Sequence, residues 1–306
     1  MRNTRTDSST GFLLAGFGLG ILLLLASPQA ESLSSRDDTG KEINLSVPAR
    51  RIVALVPHVV EILFEIGAGG HLVGVVEHSD FPASARSLPR VGGYSNLDLE
   101  AIFALKPQLV VAWREGNPPD QLEKIKALGI PVFQTDPVTL EDVPDLMPRL
   151  GRLAGTDSKA KQAAATYRTK LDQLRARYRD RTAVRVFYQI WNRPLMTVGG
   201  NHLIDAVITL CGGENVFSDL QMPTLQVGVE AVIEQDPHVI VASGMGKMHP
   251  EWLDTWRRWD WLLAVRGNHL HVIEPDILQR HGPRVLQGAQ RLCEILDEVR
   301  GRIPRE

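Results

Sequence analysis

The sequence has little cysteine, no excess of charge and none of the short motifs that mark common catalytic sites. Its 306 residues include two cysteines, and its 34 basic and 36 acidic residues nearly cancel. A net charge of −2 gives no basic surface for nucleic acid. The patterns G-x-S-x-G, G-x-x-x-x-G-K-[ST] and H-E-x-x-H are absent. Nothing in the sequence favours catalysis, so we predict that the protein is not an enzyme, with no catalytic residues, no cofactor and no nucleic-acid partner.

The first thirty residues are typical of a secretory leader. Arg2 and Arg5 precede an apolar run from Gly11 to Ala26, and the small residues of SPQA follow. This order predicts a signal peptide over residues 1–30 that is cleaved between residues 26 and 30. A retained membrane anchor is the alternative, although the apolar run is short for a span and is interrupted by glycines. We expect an exported protein.

The two cysteines, Cys211 and Cys293, are an even pair. In an exported chain such a pair favours one disulfide, and two buried thiols are the alternative. A bridge between them would close a long loop, which the chain-entropy model equates with about 4 kcal/mol of stabilisation.

Apolar runs alternate with helical segments along most of the chain. RIVALV, LVGVVEH, QLVVAW and IPVFQTD are predicted strands, each separated from the next by a predicted helix or loop. After residue 181 the alternation restarts with VRVFYQIW. The pattern predicts an α/β fold of two Rossmann-like lobes with central parallel sheets. Residues 31–155 would form the N-terminal lobe and 182–306 the C-terminal lobe.

Residues 157–180 differ from the rest because they contain neither Gly nor Pro. Their apolar side chains recur at helical spacing, at Tyr167, Leu171, Leu174 and Tyr178. At 1.5 Å per residue such a helix would be roughly 35 Å long. We predict that residues 156–181 form one long rigid helix that joins the two lobes.

Two stretches in different lobes are nearly the same. DLEAIFALKPQLVVAW (98–113) and VGVEAVIEQDPHVIVAS (227–243) align without a gap, with Glu100 on Glu230 and Pro107 on Pro237. A glutamate is favoured in the first turn of a helix, which explains either one alone. Its occurrence in both lobes suggests two acidic points that dock onto a two-fold symmetric basic partner.

Aromatic and charged residues follow the ends of several predicted strands. Ligands at parallel sheets bind outside the carboxyl ends of the strands, so these residues predict a cleft for a large, partly apolar ligand. They are Tyr94, Trp113, Trp191, Asp276, Arg280 and His281. His78 also follows a strand, and with His281 it leaves open a periplasmic zinc-binding protein or metalloenzyme. No short ligand spacing selects a metal site, so we predict none.

The chain resembles the periplasmic vitamin B12-binding proteins of ABC importers, within the class whose two lobes are joined by a single helix. The resemblance covers about residues 50–300. It is carried by RIVALVPHVVEILFEIGAG, VVEHSDFP, LDLEAIFALKP, LVVAWREGN, LCGGENVF and PDILQRHGPRVLQGAQRLC. It implies a monomeric periplasmic protein that captures cobalamin or a related corrinoid and delivers it to the transmembrane subunits of an importer. A ferric-siderophore or haem carrier is the alternative.

The resemblance also implies roles for individual residues. Trp113 matches an aromatic of the cobalamin pocket, and Asp276 and Arg280 match residues that contact the amide periphery of the corrin. Glu100 and Glu230 match the pair that docks onto arginines of the transmembrane subunits, and Cys211 and Cys293 match an intra-lobe disulfide.

Three positions depart from the family pattern. His78 replaces a tyrosine, Tyr94 replaces a tryptophan, and Thr224 replaces another tryptophan. We expect Trp191 to compensate for the lost stacking. We expect His78 to hydrogen-bond a ligand amide, with ligation of the cobalt as a second hypothesis.

Overall fold

Short parallel strands alternate with helices in both halves of the molecule. The computed structural model describes residues 33–243 and 251–303, and the predicted signal peptide lies outside these residues. The strands are β1 Leu33–Arg36, β2 Glu42–Leu45, β3 Ile52–Ala54, β4 Leu72–Val75, β5 Gly92–Gly93, β6 Asn96–Leu97, β7 Leu109–Trp113, β8 Val132–Thr135, β9 Val184–Gln189, β10 Met196–Val198, β11 Gly213–Asn215, β12 Thr224–Gln226, β13 Val239–Ala242 and β14 Leu270–Val272. The helices are α1 Pro57–Glu65, α2 Leu99–Ala104, α3 Pro119–Ala127, α4 Asp142–Ala154, α5 Asp157–Tyr178, α6 Leu203–Leu210, α7 Val229–Gln235, α8 Glu251–Asp254, α9 Leu263–Arg266, α10 Pro275–Leu278 and α11 Val285–Arg300.

Each lobe has a four-stranded parallel sheet at its centre. The strand order is β4-β3-β7-β8 in the N-terminal lobe and β11-β9-β13-β14 in the C-terminal lobe. Counted along the chain, both orders are second, first, third, fourth. From the first strand the chain adds one strand on one side and the later strands on the other. Parallel sheets open a crevice at the carboxyl ends of the strands at such a switch point, here between β3 and β7 and between β9 and β13. The predicted fold class is confirmed.

The long helix α5 lies between the lobes. It packs against α4 of the N-terminal lobe and against α6 and α11 of the C-terminal lobe. Its buried face consists of Ala160, Ala164, Tyr167, Leu171 and Tyr178, and one continuous apolar cluster includes this face and side chains of both lobes. The helix begins one residue later and ends three residues earlier than the predicted 156–181. The domain boundaries drawn from the sequence on either side of it stay predictions.

The repeated sequence folds into a repeated unit. In each copy a short helix, α2 or α7, is followed by a buried parallel strand, β7 or β13. A residue with positive φ separates the helix from the strand, Lys106 at 46° and Asp236 at 40°. A proline follows each of them, Pro107 and Pro237. Each lobe therefore has the same sequence pattern and, at the same point in it, a residue of left-handed conformation that turns the chain.

The C-terminal lobe contains a disulfide. Cys211 follows α6 and is bonded to Cys293 in α11, with the two Cα atoms 4.7 Å apart. Both residues are fully buried. The bridge predicted from the even cysteine count is confirmed, and it fastens two helices that cover the same face of one sheet. No helix among residues 33–243 and 251–303 is long and apolar enough to span a bilayer.

Candidate functional site: the interlobe cleft

A cavity of about 820 Å³ opens between the carboxyl ends of the two parallel sheets. This volume falls within the range of small-molecule sites. Its wall contains residues of both lobes: Trp113, Glu115, Asp136, Pro137 and Val138 from the first, and Ile190, Trp191, Pro194, Met196, Asn201, His202, Leu203, Ile204, Pro223, Thr224, Gln279 and His281 from the second. The cavity therefore lies where the strand order of both sheets predicts a binding crevice.

Two tryptophans from opposite lobes line the cavity. Trp113 is the last residue of β7, and its backbone N–H donates to Oδ1 of Asn117 at 2.7 Å. The buried Asn117 amide in turn donates to the Tyr94 carbonyl at 2.7 Å, which ties the loop carrying Tyr94 to the end of β7. Trp191 follows β9 and packs edge-on against Trp252, with centroids 5.5 Å apart. Both indoles are thus held by neighbours before any ligand enters.

Three histidines cluster near Trp113, and two of them, His202 and His281, line the cavity. The His281 ring lies 6.2 Å from His58, 5.4 Å from His202 and 6.2 Å from Trp113, between centroids. Burial lowers the pKa of His202 to about 3 and the pKa of His281 to about 4. Burial, with the charges of His281 and Arg280, also lowers the pKa of His58 well below its usual value. All three imidazoles are neutral at physiological pH.

The described lining of the cavity contains acidic side chains and no lysine or arginine. Its two carboxylates, Glu115 and Asp136, lie near the Trp113 end. Burial and the neighbouring Glu115 raise the pKa of Asp136, although Arg114 lies 3.6 Å away. A cleft of this charge does not favour a ligand that presents several carboxylates.

Beneath the histidines an ion-pair cluster joins the lobes. Glu61 in α1 is almost fully buried and accepts two hydrogen bonds from Arg284, at 3.0 and 2.7 Å. Arg280 also reaches across, to Glu61 at 3.1 Å and to Asp80 at 2.9 Å. Burial alone would raise the pKa of Asp80, but the hydrogen bond and charge of Arg280 hold it below its ordinary value. In the ion pairs that cross between the lobes, the N-terminal lobe thus supplies the carboxylates and the C-terminal lobe the guanidinium groups.

The structure brings some of the predicted binding residues together and places others beside the cavity. Trp113 and Trp191 line it, and the Tyr94 ring lies 6.4 Å from Trp113. Asp276 pairs with Arg280 at 2.8 Å within the ion-pair cluster. The His78 side chain is exposed, and its carbonyl accepts a hydrogen bond from Arg280 at 3.1 Å. Asp276, Arg280, Tyr94 and His78 are outside the cavity lining, so their contact with a ligand stays a prediction.

The two glutamates predicted to dock lie in matched positions. Glu100 is in the first turn of α2, and Glu230 is in the first turn of α7. Both side chains are exposed. Neither forms an ion pair with a described residue, which leaves both available to a partner.

Sequence reasoning missed several residues of the site. It did not single out Glu61, Arg284, His58 or His202. Glu61 gave one signal, because it is a charged residue within the largely apolar stretch HVVEILF. Among residues 33–243 and 251–303, no three His, Cys, Asp or Glu side chains are placed to hold a metal ion, so His78 and His281 are not brought together as zinc ligands.

Comparison with known proteins agrees with this geometry. The family model described as "Periplasmic binding protein" matches residues 52–277. The chain belongs to the periplasmic binding protein family. Within it, the chain is 37% identical to the vitamin B12-binding protein of Vibrio parahaemolyticus over 254 residues, which is 83% of this chain and 91% of that protein.

Solved structures of the family share the fold. The crystal structure of the periplasmic vitamin B12-binding protein BtuF of Vibrio cholerae matches with a TM-score of 0.76 at 34% identity, over 82% of this chain and 98% of that one. The periplasmic haem-binding protein RhuT of Roseiflexus sp. RS-1 matches with a TM-score of 0.74 at 24% identity, over 82% and 98%. The second likeness concerns the fold alone.

Proposed function

We propose that this periplasmic binding protein captures cobalamin or a related corrinoid between its lobes and delivers it, as a monomer, to an ABC importer. The observation that carries the proposal is the cavity: about 820 Å³, walled by two tryptophans and lacking basic groups in its described lining. A corrinoid is a large, flat chelate with uncharged amides at its edge, and this wall suits it. The relatives named for vitamin B12 support the same ligand. Capture and release change no covalent bond, so the protein would act without catalysis.

A haem or ferric-siderophore is the second candidate, because the chain shares its fold with haem-binding proteins. The charge of the cleft argues against it. Haem presents two carboxylates, which would meet Glu115 and Asp136 and no cation of the described lining. We therefore rank the corrinoid first.

Tryptophan fluorescence of the protein without residues 1–30 tests the ligand. We expect saturable quenching by cyanocobalamin at micromolar or lower concentration and no saturable quenching by haemin. Trp113→Ala and Trp191→Ala should each weaken binding. Trp261→Ala is the matched control, because Trp261 is 59% exposed and lies outside the cavity lining. Quenching by haemin alone would reverse the ranking.

Delivery would use Glu100 and Glu230, one on each lobe, as contacts for basic residues of the transmembrane subunits. Reversing both to lysine should abolish corrinoid transport in cells and leave the affinity of the purified protein unchanged. Glu42→Lys with Glu234→Lys is the control, since it changes the net charge equally at two other exposed positions. Normal transport by the Glu100→Lys/Glu230→Lys protein would refute the docking role.

Export would depend on the leader at residues 1–30, cleaved between residues 26 and 30. Mass spectrometry of the protein from the periplasmic fraction tests this. A mature protein beginning between residues 27 and 31 is the expected result, and an intact leader would show a retained anchor instead.

A further inference from the structure

His202 has one fixed tautomer. It lies at the start of α6, where its Nδ1 accepts a hydrogen bond from the backbone N–H of Ile204 at 3.0 Å. An imidazole nitrogen that accepts from an N–H carries no proton, so the ring proton of His202 is on Nε2. His202 therefore offers its second nitrogen as a hydrogen-bond donor.

His281 has the opposite tautomer. Its Nδ1 lies 2.9 Å from the carbonyl oxygen of Pro137, across the lobe boundary. A carbonyl oxygen only accepts, so Nδ1 carries the proton. The ring is packed among His58, His202 and Trp113, and this burial keeps it neutral. The second nitrogen of His281 is therefore a hydrogen-bond acceptor.

Both second nitrogens are free for a ligand. Neither Nε2 atom has a hydrogen-bond partner among the described residues, whereas the Nε2 of His58 is both unpartnered and buried. Both side chains line the cavity, and their ring centroids are 5.4 Å apart with the planes at 87°. A donor and an acceptor thus stand side by side on the cavity wall.

We propose that His202 and His281 together bind one primary carboxamide of the ligand. His202 Nε2–H donates to the amide oxygen, and His281 Nε2 accepts from the amide N–H. The oxygen and nitrogen of a carboxamide are bonded to the same carbon, so one group can reach both rings at hydrogen-bond distances of about 2.9 Å. This assignment rests on the proposed function, because corrinoids carry such amides.

The pair would also select against carboxylates. A carboxylate has no N–H for His281, so the buried acceptor would lose its partner, and its charge would face Glu115 and Asp136. Neutral imidazoles give the carboxylate no compensating cation. The same two residues would therefore contribute affinity for an amide-edged chelate and discrimination against an acid-edged one.

Asparagine and glutamine variants separate the two nitrogens of each ring. An asparagine amide reproduces Nδ1, so His202→Asn keeps the acceptor for Ile204 and His281→Asn keeps the donor to Pro137. Both lack the atom at the Nε2 position. His202→Gln and His281→Gln place an amide near that position instead. His71→Asn is the control, because His71 lies just before β4, at the end of the sheet away from the cavity.

The affinity for cyanocobalamin and for its monocarboxylic acid derivatives, each with one side-chain amide hydrolysed, tests the assignment. We expect each Asn variant to bind cyanocobalamin about tenfold more weakly, on the scale of one lost hydrogen bond. The Gln variants should recover part of the loss. At least one acid derivative should bind the wild-type protein about tenfold more weakly than cyanocobalamin, and this preference should disappear in the Asn variants.

Two results would overturn the assignment, and they are distinguishable. If both Asn variants bind cyanocobalamin as the wild type does while Trp113→Ala weakens it, the histidine pair is refuted and the proposed function stands. If the wild-type protein does not bind cyanocobalamin, the proposed function fails and the assignment fails with it. Unfolding curves of the Asn variants identify any loss that comes from misfolding.

Discussion

The two lobes are alike in their scaffold and unlike at the cleft. Both have a parallel sheet with the same strand order, and both place a glutamate in the first turn of the repeated helix. At the cleft, the first lobe supplies Glu61 and Asp80, whereas the second supplies Arg280 and Arg284. The repeat therefore accounts for the shared framework and the two exposed glutamates, whereas the ion pairs across the cleft come from residues that differ between the lobes.

The lobes also differ in how they are stabilised. Only the C-terminal lobe contains the disulfide between Cys211 and Cys293. The N-terminal lobe instead has the β1–β2 hairpin, which packs against α4. The following predictions test how far the lobes are equivalent.

Removing the disulfide should have the largest effect. Reduction should lower the free energy of unfolding by about 4 kcal/mol, because an 82-residue separation is released in the unfolded chain. Urea unfolding with and without reductant measures this. Hydrogen exchange should show that protection falls in the C-terminal sheet more than in the N-terminal sheet. An equal fall in both sheets would show that the disulfide stabilises the two lobes alike.

The Glu61→Gln substitution should have the next largest effect on stability. It should lower the free energy of unfolding by about 3 kcal/mol, because Glu61 is the described carboxylate that lies within ion-pair distance of Arg284. Glu65→Gln, one turn further along α1 and exposed, should change stability by less than about 0.5 kcal/mol. Urea unfolding at neutral pH compares the two variants. Equal effects would show that the cluster does not hold the lobes together.

Acidification should weaken the protein through the cleft histidines. Their pKa values are lower in the folded state than in the unfolded chain, so the unfolded state binds more protons between about pH 6.5 and pH 4. Stability is full above this window and is lost as pH falls through it. Between pH 7.5 and pH 5, His281→Asn should lose about 2 kcal/mol less than the wild type. If the stability of the wild type and of His281→Asn fell in parallel as the pH is lowered, His281 would not be a buried neutral imidazole in the folded protein.

Glycine substitutions at the two left-handed residues should have the smallest effects on stability, and the effects should be opposite in sign in the two copies of the repeat. Lys106→Gly should stabilise the protein by about 0.5 kcal/mol, because it removes the strain of a left-handed lysine. Asp236→Gly should destabilise it by about 1 kcal/mol, because Asp236 Oδ1 accepts from the Leu263 N–H at 2.9 Å. Thermal unfolding measures both, with Lys106→Ala as a control that keeps Cβ. If both glycine substitutions stabilised the protein, the two turns would be equivalent.

Much of the scaffold could be predicted from the sequence because it depends on local patterns. Apolar runs gave the strands, uninterrupted helical spacing gave α5, and a tryptophan at the end of each of two strands gave the cavity walls. The ion-pair cluster could not be found in this way. Glu61 and Arg280 are 219 residues apart, and periodicity shows which face of a helix is buried but not which distant charge meets it.

The histidines illustrate the same limit. His78 and His281 each follow a strand or short helix near the cleft, so sequence position alone treats them alike. In the structure the His78 side chain is exposed, whereas His281 contacts the opposite lobe through Pro137. His78 also has a left-handed backbone, with a φ of 63°, and no local sequence pattern predicted that conformation.

The chain passes from one lobe to the other once, through α5, so the strands of the N-terminal sheet are synthesised before those of the C-terminal sheet. All strands of the first sheet lie between residues 52 and 135, and all strands of the second lie between 184 and 272. The first sheet can thus assemble before the second has emerged, and N-terminal domains generally fold first. Both cysteines emerge after α5, and the first lobe contains no cysteine with which they could form a wrong disulfide. The N-terminal lobe can therefore fold before the disulfide of the C-terminal lobe forms.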